Sequence, residues 1–138
     1  MPLVDSYPVI VTPRLMECRD FYRRWLDAEI VFEASWFVLL SLPGGQGYRV
    51  AFMTPDHPSS PPGPEAFSGR GVFLTFQVDD AQAEYDRLTR IGAPIAYPLR
   101  TERWGQVRFA LIDPAGTWID VVQQVEPQPG FWDPYLSG

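Results

Sequence analysis

The order strand, helix, then three strands is read twice along these 138 residues, and that repetition limits the fold more than any other feature. The second copy closes with the most legible stretch of the chain, residues 104–123, WGQVRFALIDPAGTWIDVVQ. At its centre Asp113-Pro114-Ala115-Gly116 has type I turn chemistry: Asp first, Pro with its preset φ second, Gly fourth. Residues 107–112 and 117–122 on either side are rich in β-branched and aromatic side chains, which predicts a hairpin. Alternation puts Trp118, Asp120 and Val122 on one face of the second strand and Ile119 and Val121 on the other. An acid between two large apolar residues on a strand fit for burial is unusual, so Asp120 is where a site is sought. The plainer alternative is a carboxylate paired with Arg49 or Arg108, both on neighbouring predicted strands.

The remaining elements follow from periodicity and turn signals. Val9–Val11 is a short apolar strand entered through Pro8, which has no N–H to donate and suits an edge or hinge. Thr12-Pro13 reads as an N-cap with proline at the first helical position. Leu15, Cys18, Tyr22, Trp25 and Leu26 then recur at helical spacing. Strands are predicted at residues 29–34, 36–42 and 48–54, with a turn at 43–47. The first module therefore covers residues 1–54. Residues 55–70 form a Pro-rich linker or surface loop holding the only histidine, His57, which is expected to be solvated.

The second module covers residues 71–125. It comprises a strand at 71–78, a capping box from Asp79 to Gln82, and a helix with Ala81, Tyr85, Leu88 and Ile91 on its apolar face. That helix ends at Gly92; a short strand at 95–97 and the hairpin follow. In the repeat, Gly47-Tyr48-Arg49-Val50-Ala51 superposes on Gly116-Thr117-Trp118-Ile119-Asp120. Residues 126–138 form an aromatic tail whose Phe131, Trp132 and Tyr135 should pack on the protein's own surface or on a partner subunit.

Composition removes several classes of function. One cysteine, Cys18, excludes an internal disulfide and a cysteine-based zinc site. A formal charge of −6 gives no basic surface for nucleic acid. No apolar run approaches the roughly 20 residues of a membrane helix, and the N-terminus lacks a leader pattern, so a cytoplasmic protein without a membrane partner is expected. No Ser–His or Cys–His pair is evident, because the single histidine lies in the Pro-rich stretch.

Three groups of residues together resemble the glyoxalase/bleomycin-resistance/extradiol dioxygenase (vicinal oxygen chelate) superfamily. They are Leu15 with Phe21-Tyr22, Phe76-x-Val78-Asp79-Asp80, and the block Trp104-Gly105…Phe109…Asp113-Pro114-x-Gly116…Ile119-Asp120…Gln123. The resemblance spans nearly the whole chain outside the Pro-rich stretch and the tail. It implies an α+β fold of two tandem βαβββ modules whose eight strands form an open cup, commonly in a homodimer. In metal-dependent members four strands supply His or Glu ligands. Carried over by motif, those positions fall on Tyr7, Ala51, Phe73 and Asp120. Only Asp120 is a plausible ligand, and one carboxylate cannot hold a catalytic divalent ion where about three protein ligands are needed, so neither metal nor cofactor is expected.

A cup lined this way is apolar and aromatic, closest in character to the metal-free bleomycin-resistance branch. Tyr7, Trp36 or Phe37, Ala51, Phe73, Trp104 and Trp118 would supply its walls. Arg49, Thr75, Arg108 and Asp120 would orient a guest. The expected function is binding, not catalysis: sequestration of a planar aromatic antibiotic as a means of drug resistance. Net negative charge and cation–π attraction favour a cationic guest. The alternative is a metal-free isomerase, cyclase or hydrolase acting on an aromatic natural product, with Asp120 as base and Tyr7 as donor. A divergent metal-dependent lyase or dioxygenase is a third reading.

Overall fold

The computed structural model describes residues 1–45, 47–58 and 65–136. Parts of the predicted 43–47 turn (Gln46), the 55–70 loop (residues 59–64) and the tail (residues 137–138) lie outside the described residues. In chain order the elements are β1 (Val9–Val11), α1 (Leu15–Leu26), β2 (Glu29–Glu33), β3 (Phe37–Ser41), β4 (Arg49–Met53), β5 (Leu74–Gln77), α2 (Ala81–Arg90), β6 (Ile95–Glu102), β7 (Gln106–Ile112) and β8 (Trp118–Gln124). The βαβββ order occurs twice, as the sequence pattern predicts. Each copy builds a four-stranded sheet of the same topology, β1-β4-β3-β2 and β5-β8-β7-β6, in which the first strand runs parallel to the fourth.

The chain divides into two compact units. One comprises Met1–Arg70 with the turn Asp113–Gly116; the other comprises Gly71–Ile112 with Thr117–Gly138. In the first, α1 lays Leu15, Cys18, Phe21, Tyr22, Trp25 and Leu26 into the core. The ring of Tyr22 meets that of Phe52 at 5.1 Å, so Phe52 and its strand partners Ile10 and Val38 face the helix. Val9, Ala51, Met53, Phe37 and Leu39 fall on the opposite face by alternation. In the second unit the Tyr85 and Phe109 rings lie 5.2 Å apart, which sets Phe109, Leu111, Ile119 and Val121 towards α2. Thr75, Arg108, Ala110, Trp118 and Asp120 are left on the face away from the helix.

Several local boundaries differ from the sequence pattern. Helix α1 begins at Leu15; Thr12 instead accepts the N–H of Arg14 at 3.1 Å, a local turn that delays the helix. Asp80, not Asp79, caps α2, accepting from the Ala83 N–H at 3.0 Å, because the helix starts one residue later than the capping-box reading. Ile91, assigned above to the apolar face of α2, is the residue after the helix and is exposed. His57 is half-buried and stacks on Trp36 with ring centroids 3.5 Å apart, so the solvated histidine of the sequence reading is corrected. The hairpin turn forms as predicted, with Gly116 N–H donating to Asp113 O at 2.9 Å.

Within the first unit, the Tyr22 hydroxyl donates to Asp113 Oδ2 at 2.7 Å, both residues buried. Burial first, and the Asp113 charge second, hold the Tyr22 phenol well above its usual range. Burial, with the same Asp113 charge adding to it, pushes the Cys18 thiol up to about 12. Tyr22→Phe should cost about 1.5–3 kcal/mol in urea unfolding, the usual value of a buried hydrogen bond to a charged group. In the native protein Cys18 should resist an aromatic disulfide reagent at pH 8 and react only on unfolding. Rapid native labelling, or a Tyr22→Phe protein as stable as wild type, would contradict this packing.

Candidate functional site: an ion-pair network under an aromatic face

The second sheet carries charges that an ordinary core would not. Asp120 sits in the middle of β8, opposite Ala110 of β7 and Thr75 of β5. Its Oδ2 accepts from Arg108 Nη1 at 3.0 Å, and its Oδ1 accepts from the Trp118 indole N–H. Arg108 Nε reaches Glu102 Oε2 at 2.8 Å, and the same oxygen accepts from the Tyr97 hydroxyl at 3.1 Å. Glu102 Oε1 lies 3.0 Å from Arg100 Nε. A continuous chain Arg100–Glu102–Arg108–Asp120–Trp118 results. The side chains of Glu102 and Asp120 are each 5% exposed, whereas Arg108 is 22% and Arg100 60% exposed.

Aromatic rings surround the guanidinium. Arg108 Cζ lies 5.1 Å from the Tyr97 ring centroid and 5.2 Å from that of Trp104, within cation–π range. Tyr97 and Trp118 are 5.9 Å apart. Trp104 is fixed by its indole N–H to Gln106 Oε1 at 2.8 Å and by Phe131 at 6.4 Å. Its carbonyl accepts from the Trp132 indole at 2.8 Å. The tail thus packs on its own unit, one of the two placements the sequence allowed.

Local geometry explains the placement. Glu102 and Gln106 are cross-strand partners, so the β6–β7 loop is Arg103-Trp104-Gly105. Gly105 adopts φ +109°, and a Cβ there would stand 2.8 Å from Val125 O, so only glycine turns the chain tightly enough to hold Trp104 over the sheet.

Burial alone would raise the Glu102 carboxyl; the hydrogen bonds from Arg108 and Tyr97, with the nearby arginine charges, outweigh it and leave Glu102 below the ordinary carboxylate range. Arg108 responds in the opposite sense. Desolvation lowers it, and the bonds to Glu102 and Asp120 more than restore it, so it is raised and stays charged.

The sequence profile of the Glyoxalase/Bleomycin resistance protein/Dioxygenase superfamily matches residues 6–121. The chain belongs to this superfamily. Solved structures of similar fold include a glyoxalase/bleomycin resistance protein/dioxygenase from Nocardioides, with TM-score 0.74 and 20% identity over 94% of this chain and 89% of the other. A superfamily member from Sphaerobacter thermophilus DSM 20745 aligns with TM-score 0.67 and 23% identity, covering 89% of this chain and 98% of that one. TioX from Micromonospora sp. ML1 aligns with TM-score 0.64 and 15% identity over 89% and 100%. A search of curated protein sequences returned no match.

The superfamily's metal chemistry does not fit the residues present. At the four positions the resemblance assigns to ligands, Ala51 and Phe73 carry no side-chain donor atom, both oxygens of Asp120 are engaged by Arg108 and Trp118, and Tyr7 offers a single phenol, short of the roughly three protein ligands a catalytic ion needs. Among the described residues no three His, Cys, Asp or Glu side chains come together.

Of the residues singled out in the sequence, the second sheet gathers Trp104, Arg108, Trp118 and Asp120. It also carries Thr75 on the same face and places the exposed Phe73 just before β5. Tyr7, Trp36, Phe37, Arg49 and Ala51 lie in the first unit. There Ala51 is fully buried, Tyr7 is 39% exposed, and Arg49 donates to Asp5 Oδ2 at 2.6 Å. The register puts Phe37, not Trp36, on the helix-free face. Tyr97 and Glu102 are not among the sequence candidates: the predicted strand stops at residue 97, short of Glu102, and a register shift between Ile95 and Tyr97 turns Tyr97 onto the helix-free face opposite Ala110. On an edge strand such as β6 proline costs no ladder bond, so the strand continues through Pro98, and the irregular register on either side of Tyr97 is not visible in simple alternation.

Glu102→Gln should destabilise the protein at pH 7 by about 1.5–3 kcal/mol. Because the folded carboxyl is depressed, its contribution is present above about pH 4.3, the ordinary glutamate value, and is lost as pH falls through the lower folded value. Urea titrations should show the gap between wild type and Glu102→Gln narrowing from pH 7 to pH 3. An equal gap at both pH values would show that the charge contributes nothing.

Proposed function

We propose that the protein is a small-molecule binding protein of the metal-free bleomycin-resistance type, which sequesters a planar aromatic compound on the helix-free face of the second sheet. The observation that carries this reading is the engagement of both Asp120 oxygens. Arg108 and Trp118 hold the carboxylate as a fixed acceptor, and its side chain is 5% exposed. A general base must reach the proton it removes, and this one is turned inward on its own partners. What the face offers instead is surface for stacking: Tyr97, Trp104 and Trp118 are half-buried, and Thr75 and Gln77, on β5 next to β8, are exposed. Partly exposed rings next to a few oriented polar groups are the ordinary make-up of a site for a flat organic molecule.

Superfamily membership and the names of similar proteins, which include bleomycin resistance, agree with an antibiotic as the guest. A homodimer belongs to the same proposal. Exposed Leu3, Val4, Tyr7 and Val9 lead into the edge strand β1, and a second copy would cover them. No helix among the described residues is long and apolar enough to cross a membrane.

Titration with planar aromatic antibiotics should quench tryptophan fluorescence saturably. Trp118→Ala should weaken binding about tenfold, the worth of one lost stacking partner. Trp118→Phe, which keeps a ring, should retain most of the affinity. A panel of such compounds giving neither quench nor thermal shift would overturn the proposal.

A further inference from the structure

The network has a polarity that the overall charge of the chain conceals. Arg100 and Arg108 are Cα partners directly across the β6–β7 ladder. Like charges so placed repel, and strands ordinarily avoid them. Here Glu102 holds both: its Oε1 lies 3.0 Å from Arg100 Nε and its Oε2 lies 2.8 Å from Arg108 Nε. The two acids are the covered members of the cluster, with side chains 5% exposed each, whereas the side chains of Arg108 and Arg100 are 22% and 60% exposed. Every carboxylate oxygen in the network already accepts from, or is paired with, a group of the protein. Among the described residues, no hydrogen bond engages Nη2 of Arg108 or either Nη of Arg100. A molecule approaching this face therefore meets unspent N–H donors and ring faces, with the negative charge behind them.

Burying two carboxylates to hold two arginines side by side is a poor way to gain stability, since apolar packing of similar volume would do as well or better. It is an effective way to orient guanidinium edges, which match the two oxygens of a carboxylate or similar anion. Both guanidinium groups lie within cation–π range of the Tyr97 ring, with Arg108 Cζ 5.1 Å and Arg100 Cζ 5.7 Å from its centroid. The chain's formal charge of −6 is the opposing influence and favours a cation. It acts mostly from a distance, where salt screens it beyond about 8 Å, whereas the arginines act in contact.

We infer that the guest is an aromatic anion: a planar ring system bearing a carboxylate or comparable acidic group, stacked on Tyr97, Trp104 and Trp118 and clamped by Arg100 and Arg108. The inference rests on the binding reading above and adds the charge of the guest, reversing the cationic preference drawn from net charge.

Three probes sharing one ring system test it: 9-anthracenecarboxylate, 9-anthracenemethanol and 9-anthracenemethylammonium, titrated calorimetrically at pH 7 and physiological salt. The carboxylate should bind about tenfold more tightly than the ammonium. Arg100 is mostly exposed, so Arg100→Gln should fold, and in it the carboxylate-to-methanol affinity ratio should fall about fivefold. Arg90→Gln, an exposed change of equal charge on α2, should leave that ratio as it is. Ammonium binding as tightly as carboxylate, or a ratio lowered equally by Arg90→Gln, would overturn the anion preference while leaving the aromatic site in place. Failure of all three probes to bind would overturn the binding reading and the inference together.

Discussion

Two arginines stand directly opposite each other in the second sheet, and a buried glutamate makes this tenable. Without Glu102, Arg100 and Arg108 would repel across the ladder, and Arg108 would have only Asp120 to hold it under Tyr97 and Trp104. With it, the guanidinium of Arg108 is held at two points, Asp120 is held by Arg108 and Trp118, and the rings of Tyr97 and Trp104 lie within cation–π range of that charge. The site is thus set by mutual pairing among strands β6, β7 and β8. No single residue supplies it.

The repeat makes the contrast plain. In the first sheet Ala51 lies opposite Leu39 and Val9, the places that Ala110 and Thr75 take around Asp120 in the second. Phe37, opposite Met53, stands where Arg108 stands opposite Val122. One scaffold thus carries two characters on its helix-free face: around Ala51 in the first unit it is apolar, with the Arg49–Asp5 pair beyond, and around Asp120 in the second it is charged and aromatic. Backbone topology is common to both, so the difference between the two sheets lies in the side chains at those positions.

Much of this was legible in the amino-acid order. Periodicity located both helices and all eight strands, and the Asp-Pro-x-Gly turn announced the closing hairpin, because these signals are local. Asp120 stands out as anomalous from alternation alone, and Arg108 is one of the two partners the sequence offers it. Glu102 lies beyond the predicted strand at 95–97, and Tyr97 reaches the helix-free face only through a register shift that local alternation does not show. Only the sheet order, in which β6 is an edge, reveals that proline is harmless there. The direction in which the charges point was equally hidden. Net charge sums over the surface, whereas recognition depends on which members of an ion-paired cluster are left uncovered, and that is a tertiary property.

The central claim, that the helix-free face of the second sheet is where a flat guest sits, is tested most directly by the indole N–H resonances of the five tryptophans during a titration with a planar aromatic ligand. The Trp104 and Trp118 signals should shift together and saturably, while that of Trp25, buried on α1, stays in place. Shifts at Trp36 alone, or at none of the five, would contradict the account.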